Sequence, residues 1–211
     1  MLKMIGIMAQ GTLVSLEVFF LTLLFALPLG LPIAAARMAK FKLLAWVANG
    51  FLLVIRGTPL MLQLIFVYFA PFHLFGVSYD RFVAAIIAMS VNYAAYFAEI
   101  YRGGIQAIPK GQYEAAKVLG YTKDQTFFRI VLPQVIKHIT PAMGNEVITL
   151  VKDTSLVQVI GVAELLRTAQ TQSSRLFSTT PIFVAGVFYF VMNWVVSAFF
   201  NYLEKKLNYY K

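Results

Sequence analysis

The chain has no cysteine, two histidines and nine acidic residues among its 211 positions. Without cysteine there is no disulfide framework and no thiolate metal site. The histidines, His73 and His138, are too few and too scattered for a metal site or a catalytic triad, and His138 reads as structural. A Gly-x-x-x-x-Gly-Lys-Ser/Thr phosphate loop is missing, so the chain is not its own ATPase by that route. Ser155 lies near Asp153, but that pair does not make an activated nucleophile. Charge itself is scarce: 13% of residues are charged and 60% are hydrophobic. Soluble domains run nearer about half apolar and a quarter charged. The excess apolar surface must face something other than water, and lipid is the usual answer.

Long apolar runs fill the space that charge leaves. The first is Gly11–Ala36, with one charge, Glu17, and two prolines, Pro28 and Pro32. Prolines are tolerated in such helices where neighbours re-satisfy the freed carbonyls. The segment Met1–Gln10 shows no small-residue cleavage site after the first run, so the run reads as a retained span. The second run is Leu43–Ala70, interrupted at Arg56-Gly57-Thr58-Pro59. Broken backbone at membrane depth survives where protein buries it or a cavity solvates it. The third run is Phe82–Tyr101, carrying Asn92 and Glu99. A fourth, 130–163, is weaker: Lys137, His138, Glu146, Lys152 and Asp153 interrupt it, which suits a helix buried inside a bundle. The fifth is Pro181–Leu203. The expected fold is all-α: one membrane domain over residues 1–211, a bundle of five spans of about 20 residues each.

Five spans put the connections after the first, third and fifth on one side. These segments, 37–42, 102–129 and 204–211, carry 3, 5 and 3 Lys/Arg. The other side carries Lys3, Arg81, Arg167 and Arg175. The positive-inside rule then predicts an N-terminus outside and a C-terminus in the cytoplasm. Topology accounts for the net charge of +9, and no nucleic-acid partner is needed to explain it.

The segment 102–129 is the longest polar stretch between spans. Pro109 is placed to open a helix at its first turn, and Gly120 to cap its end. Thr122-Lys-Asp-Gln125 matches a capping box opening a second helix. Two short helices at an angle should lie on the cytoplasmic face, with Ala115, Ala116 and Gly120 offering a close-approach surface. An ordinary connector packed on its own bundle is the plainer reading.

Residues Glu114-Ala115-Ala116-Lys-Val-Leu-Gly120, followed by Ile130-Val-Leu-Pro133, resemble the Glu-Ala-Ala loop of membrane subunits of bacterial ABC importers. Arg56-Gly-Thr-Pro-Leu60, Tyr96–Ile105, Lys152-Asp-Thr-Ser-Leu156 and Ile160-Gly-Val-Ala-Glu-Leu165 resemble the polar amino-acid branch of these permeases. The resemblance implies a type I importer fold with a second permease copy, most simply a homodimer. It implies two partner ATPase subunits holding ATP and Mg, with no cofactor in this chain, and an extracytoplasmic amino-acid-binding protein. It implies a permease subunit of the bacterial inner membrane and not an enzyme. Glu114, Ala115, Ala116 and Gly120 would then sit in the coupling helix that enters the ATPase.

Polar residues at membrane depth cost about 2.5–3.5 kcal/mol each when charged, and are functional candidates by default. Asn92, Tyr96 and Glu99 follow at i, i+4 and i+7, on one helical face. Thr58 lies at the break of the second run, and Asp153 and Ser155 where the fourth unwinds. Interrupted helices bring free backbone groups to substrates near the midplane. Together these six residues are expected to line a pocket for an amino acid. Thr58 or Ser155, with backbone groups, would take the carboxylate, and Glu99 and Asp153 would favour a cationic substrate such as arginine, lysine or histidine. Each has a structural alternative. Glu99 could pair with Arg102, Asp153 could neutralise Lys152 or Arg56, and Asn92 could bond a neighbouring helix. Glu17 and Glu146 stay unassigned. The competing class is an ion-coupled secondary transporter, although such folds show internal repeats and none is evident here.

Overall fold

The computed structural model describes residues 2–207. Lys211, one of the basic residues counted at the C-terminus, lies outside them. The chain is helical throughout: α1 Leu2–Arg37, α2 Lys42–Gly57, α3 Leu60–Phe75, α4 Arg81–Gln106, α5 Lys110–Val118, α6 Lys123–Thr126, α7 Leu132–Asp153, α8 Leu165–Leu176 and α9 Thr180–Leu207. A π-helical turn, Phe127–Val131, leads into α7, and a 3-10 segment, Thr154–Ile160, leaves it.

Local chemistry sets several boundaries. The Asp80 carboxylate accepts from the amides of Phe82 and Val83 and caps α4. Thr122 and Gln125 form the reciprocal capping box at α6. Gly120 takes φ +77° beyond α5, and the Tyr121 amide reaches back to the Ala116 carbonyl at 3.0 Å. That is the left-handed glycine turn that satisfies a helix's last carbonyls. Pro133 lacks an N–H and its ring crowds the carbonyl four residues back. The π turn just before it absorbs the misfit, so the chain continues into α7 where a helix end was a reasonable expectation.

Contacts give the directions of the helices. Gly30 lies against Ala94, Ala98 and Tyr101, while Leu21 shares a cleft with Phe82, Val83 and Ile86, so α1 and α4 run parallel. Gln63 meets Asn92 and Tyr68 meets Arg81, so α3 runs against α4. Gly104 lies against Val135 and Ile139, and Tyr93 reaches Asp153, so α7 also runs against α4. A Cβ on Gly104 would come within 2.2 Å of the Ile139 Cγ2; glycine there is what lets α4 and α7 approach. Gly144 faces Phe200, and Lys137 shares a cavity with Glu204 and Lys205, so α9 runs against α7. One end of the bundle therefore gathers Arg37, Arg102, α5, α6 and the C-terminal end of α9. The other gathers the start of α1, residues 76–80 and α8.

Helix α4 is the spine. Ala84, Ala85, Ala88, Ala94, Ala95 and Ala98 are all buried along it, and small residues let helix backbones close in where hydrophobicity gives no drive. Around it pack Val18, Ala26, Leu64, Leu150 and Val157. Leu24 of α1, Trp46 and Leu53 of α2, and Phe183, Phe190 and Trp194 of α9 face outward.

The five expected runs, the second interrupted and the fourth weak, correspond to helices of unequal character. Among the described residues, three helices are long and apolar enough to cross a membrane: Lys3–Arg37, Arg81–Gln106 and Thr180–Leu207. Helices α2 and α3 are bent by 107° at residues 58–59 and make a fourth crossing only if counted as one. The fifth pass, α7, carries Lys137, Glu146, Lys152 and Asp153, which deprive it of a continuous apolar window. Its buried face is Val135, Thr140, Gly144, Val147, Leu150 and Val151; Asn145 and Lys152 are turned outward. The spans also run past their expected limits, from Leu2 in α1 and to Gln106 in α4.

Near the end that holds α8, Glu164 is fully buried (0% exposed). It accepts from the Leu166 and Arg167 amides at 2.7 and 2.8 Å, the Tyr189 hydroxyl at 2.7 Å and the Ser15 hydroxyl at 3.4 Å. One carboxylate thus caps α8 and ties it to α1 and α9. Burial pushes this carboxyl above the usual carboxylate range, against the lowering effect of its four donors.

Candidate functional site

Two interruptions flank α4, and the polar groups collect between them. At the first, Pro59 stands where α3 begins and α2 ends in open carbonyls. The Gln63 amide of α3 donates to the Ile55 carbonyl at 2.7 Å, to the Thr58 carbonyl at 3.2 Å and to the Thr58 hydroxyl at 2.9 Å. Its own carbonyl accepts from Asn92 Nδ2 at 2.9 Å. Thr58 in turn donates to the Val54 carbonyl at 2.8 Å. A single glutamine side chain therefore closes the broken end of α2 and anchors it to α4. An apolar cleft of about 420 Å³ lies alongside, lined by Ile55, Thr58, Gln63, Phe66 and Ala88 among others.

At the second interruption, Asp153 ends α7. Its Oδ2 accepts from the Tyr93 hydroxyl at 2.8 Å. Ser155 donates to the Lys152 carbonyl at 2.7 Å, which holds it on its own backbone. Glu146, two turns earlier on α7, lies within electrostatic reach of both Asp153 and Arg56. The Arg56 guanidinium sits 5.3 Å from the centre of the Tyr96 ring, within range of cation–π attraction. The Tyr93 and Tyr96 rings are 6.4 Å apart.

Toward the end that holds α5, Glu99 meets three guanidiniums. Arg102 approaches it at 2.8 and 3.1 Å, and Arg37 and Arg56 each at 3.6 Å. Arg102 also donates to Gln106. The cluster draws α1, α2 and α4 together and leaves an excess of positive charge.

Five of the six expected pocket residues are thus connected through α4, Ser155 being held on its own backbone, and the five are unequally available. Asn92 and Thr58 are linked through Gln63 and serve the break. Glu99 is engaged by three arginines, one of them the expected Arg102. Tyr96 lies under Arg56. Asp153 keeps one carboxylate oxygen beyond its Tyr93 bond. Three residues that composition did not single out complete the arrangement: Gln63, Tyr93 and Glu146. A lone glutamine inside the run Leu60–Phe69 was the available signal for the first. In charge terms the region is polarised, with guanidiniums around Glu99 and the carboxylates Glu146 and Asp153 along α7. Among the described residues, no group of three or more His, Asp or Glu is placed to hold a metal ion.

On the connector, Glu114, Ala115 and Gly120 face outward, whereas Ala116 is 1% exposed. The expected close-approach surface therefore lacks Ala116, which packs inward. Val118 and Leu119 are 87% and 72% exposed instead.

Comparison with known proteins places the chain among transport proteins. The arginine transport system permease protein ArtQ of Bacillus subtilis is 37% identical over 199 residues, covering 94% of this chain and 91% of that protein. The L-cystine transport system permease protein TcyB of the same organism is 39% identical over 206 residues, covering 97% and 88%. A putative glutamine transport system permease protein of Rickettsia felis is 36% identical, covering 94% and 91%. A crystal structure of an amino acid ABC transporter with histidines superposes with a TM-score of 0.90 at 37% identity, over 98% of this chain and 96% of that one. The MetNI methionine ABC transporter, in an inward-facing conformation, matches in fold at a TM-score of 0.77 and 20% identity, over 98% of each chain. These relatives are permease subunits and transporters, not enzymes. The family described as binding-protein-dependent transport system inner membrane component matches residues 26–209, and the chain belongs to that family.

Proposed function

We propose that this chain is the permease subunit of an ATP-driven importer that carries a cationic amino acid, of the arginine, lysine and histidine class, into the cell. The observation that carries the reading is the polarised cluster at the two helix breaks. Arg56 is placed to attract a substrate carboxylate, and Asp153 with Glu146 to hold the amino group and a cationic side chain. Thr58, Asn92 and Gln63 brace the break beside them, with Tyr96 under Arg56 and Ser155 shaping the turn after Asp153. Glu99 acts in this reading by holding Arg56 in place, and not by touching substrate. The names of the arginine, cystine and glutamine permeases support an amino-acid cargo.

Two ATPase subunits, which bind ATP and Mg, dock on α5 through Glu114, Ala115, Gly120 and the exposed Val118 and Leu119. Asn145 and Lys152 face away from the chain's own bundle at membrane depth, where lipid contact is costly. A second copy of this chain across that face would cover them and make a homodimer. An extracytoplasmic binding protein delivers substrate at the opposite end. The N-terminus lies outside and the C-terminus in the cytoplasm. Nothing observed favours the ion-coupled alternative.

The test is arginine uptake into proteoliposomes holding the permease with its ATPase. Asp153→Asn and Glu146→Gln should each lower arginine uptake by about tenfold, the equivalent of about 1.4 kcal/mol, with basal ATP hydrolysis intact. Wild-type uptake in both variants would refute the site.

A further inference from the structure

Membership of a binding-protein-dependent family raises the question of where the bundle receives that protein. We infer that the α8–α9 turn is the docking surface, with Phe177 as its anchor and an acidic partner surface closing around it. The inference rests on the importer reading above and adds the place of contact.

Phe177 is 98% exposed and takes φ +48°, the one non-glycine residue with positive φ among those described. It stands at the position after a helix end where glycine is usual. The turn is nonetheless fixed on both sides. The Ser178 amide donates to the Ser173 carbonyl at 3.2 Å, and the Ser173 hydroxyl donates to the Ser178 carbonyl. The hydroxyls of Ser178 and Thr180 bond at 2.9 Å, and the Thr180 amide donates to Ser178 Oγ at 3.3 Å. These bonds hold the backbone of the turn, and the turn displays the Phe177 ring to the outside. Backbone outliers of this kind persist only where their surroundings impose them, and they concentrate at functional sites.

The ring stands on a polar, basic ground. Helix α8 turns Leu165 and Ala169 inward against Met8 and Ala185. It leaves Arg167, Gln170, Thr171, Ser174 and Arg175 outward, and it contains no acidic residue. Lys3 and Arg175 line one groove of about 570 Å³ between α1 and α8. The nearby Glu164 is sealed beneath α8 and does not offset these cations at the surface. Leu176, 55% exposed, adjoins the ring, and Ser174, Arg175 and Thr179 are exposed around the pair. An aromatic anchor within a polar rim is the usual form of an interface hot spot, and the cations would steer an acidic partner toward it. A membrane anchor would look different. Interfacial helices lay a continuous apolar face into the headgroups, whereas α8 turns Leu165 and Ala169 into the bundle and exposes one aliphatic side chain, Leu176, at its end.

The test uses the permease–ATPase complex in phosphatidylcholine nanodiscs, titrated with the binding protein that stimulates wild-type ATP hydrolysis. Phe177→Ala and Phe177→Gly should raise the half-maximal concentration by at least about tenfold, with basal hydrolysis unchanged. Glycine accepts positive φ without strain, so Phe177→Gly should unfold no earlier than wild type, which separates lost docking from lost folding. Arg175→Glu should weaken stimulation at low salt and converge toward wild type at high salt. Wild-type titration of Phe177→Gly would overturn the inference. So would a defect that follows replacement of phosphatidylcholine by phosphatidylglycerol while the titration stays normal, since the ring would then be a lipid anchor. If no binding protein stimulates the wild-type complex, the importer reading itself falls, and the docking site with it.

Discussion

Glu99 and Glu164 are both carboxylates held inside an oily bundle, and the protein accommodates them by opposite means. Glu99 is surrounded by charge: Arg37, Arg56 and Arg102 come from three helices and outnumber it. Glu164 has neutral donors, two backbone amides and two hydroxyls, with no cation in its shell. The first arrangement lies between elements beside an interrupted helix, where half-exposed long side chains can rearrange. The second is sealed and joins α1, α8 and α9 into one unit. A carboxylate with mobile counter-charges suits a region that must change shape during transport. One fixed by short bonds suits a platform that must not.

That contrast can be broken in order of expected effect. Glu164→Ala should be the most damaging change, because it orphans the Leu166 and Arg167 amides and the Tyr189 hydroxyl and leaves a void. A loss of about 3–5 kcal/mol is expected, read as a large fall in the unfolding midpoint of the purified complex. Glu164→Gln keeps an acceptor and should lose much less. Glu99→Gln leaves three guanidiniums without their counter-charge. Since the arginines are partly exposed, the loss should be about 1–3 kcal/mol, below that of a fully buried pair, and it should shrink as salt rises. If Glu99→Gln proved more damaging than Glu164→Ala, the distinction between mobile and sealed would fail. Gln63→Leu frees the carbonyls of Ile55 and Thr58 and the Asn92 amide. It should cost about 1–2 kcal/mol, with more mobility at residues 55–60 by hydrogen exchange. Smallest is Thr122→Ala, which removes the exposed capping box of α6 at about 0.5–1 kcal/mol and should lower the coupling of ATP hydrolysis to uptake more than stability.

Local features were readable from sequence because their causes are local. The Thr122–Gln125 box, the Gly120 cap and the break at Arg56–Pro59 each rest on residues within one turn. The pairing of Glu99 with Arg102 was open to the same reading. Long-range partners were not. Nothing in the sequence around Glu164 announces Ser15, 149 positions away, or Tyr189. Nor does Asn92, expected to bond a neighbouring helix if not a substrate, announce that its partner there is Gln63. The fifth pass defeated hydropathy for the same reason. Glu146 and Asp153 were tolerable in α7 because Tyr93 and Arg56, on other helices, lie near them. The pattern of apolar runs pointed to an all-α membrane bundle, while the character of α7 required the packed bundle.

The most direct test of the central claim is equilibrium binding of labelled arginine to the nucleotide-free permease–ATPase complex, with unlabelled glutamine as competitor. The account predicts that Asp153→Asn weakens arginine about tenfold or more and weakens glutamine, which lacks the cationic side chain, by less. Equal arginine affinity in wild type and Asp153→Asn would contradict it.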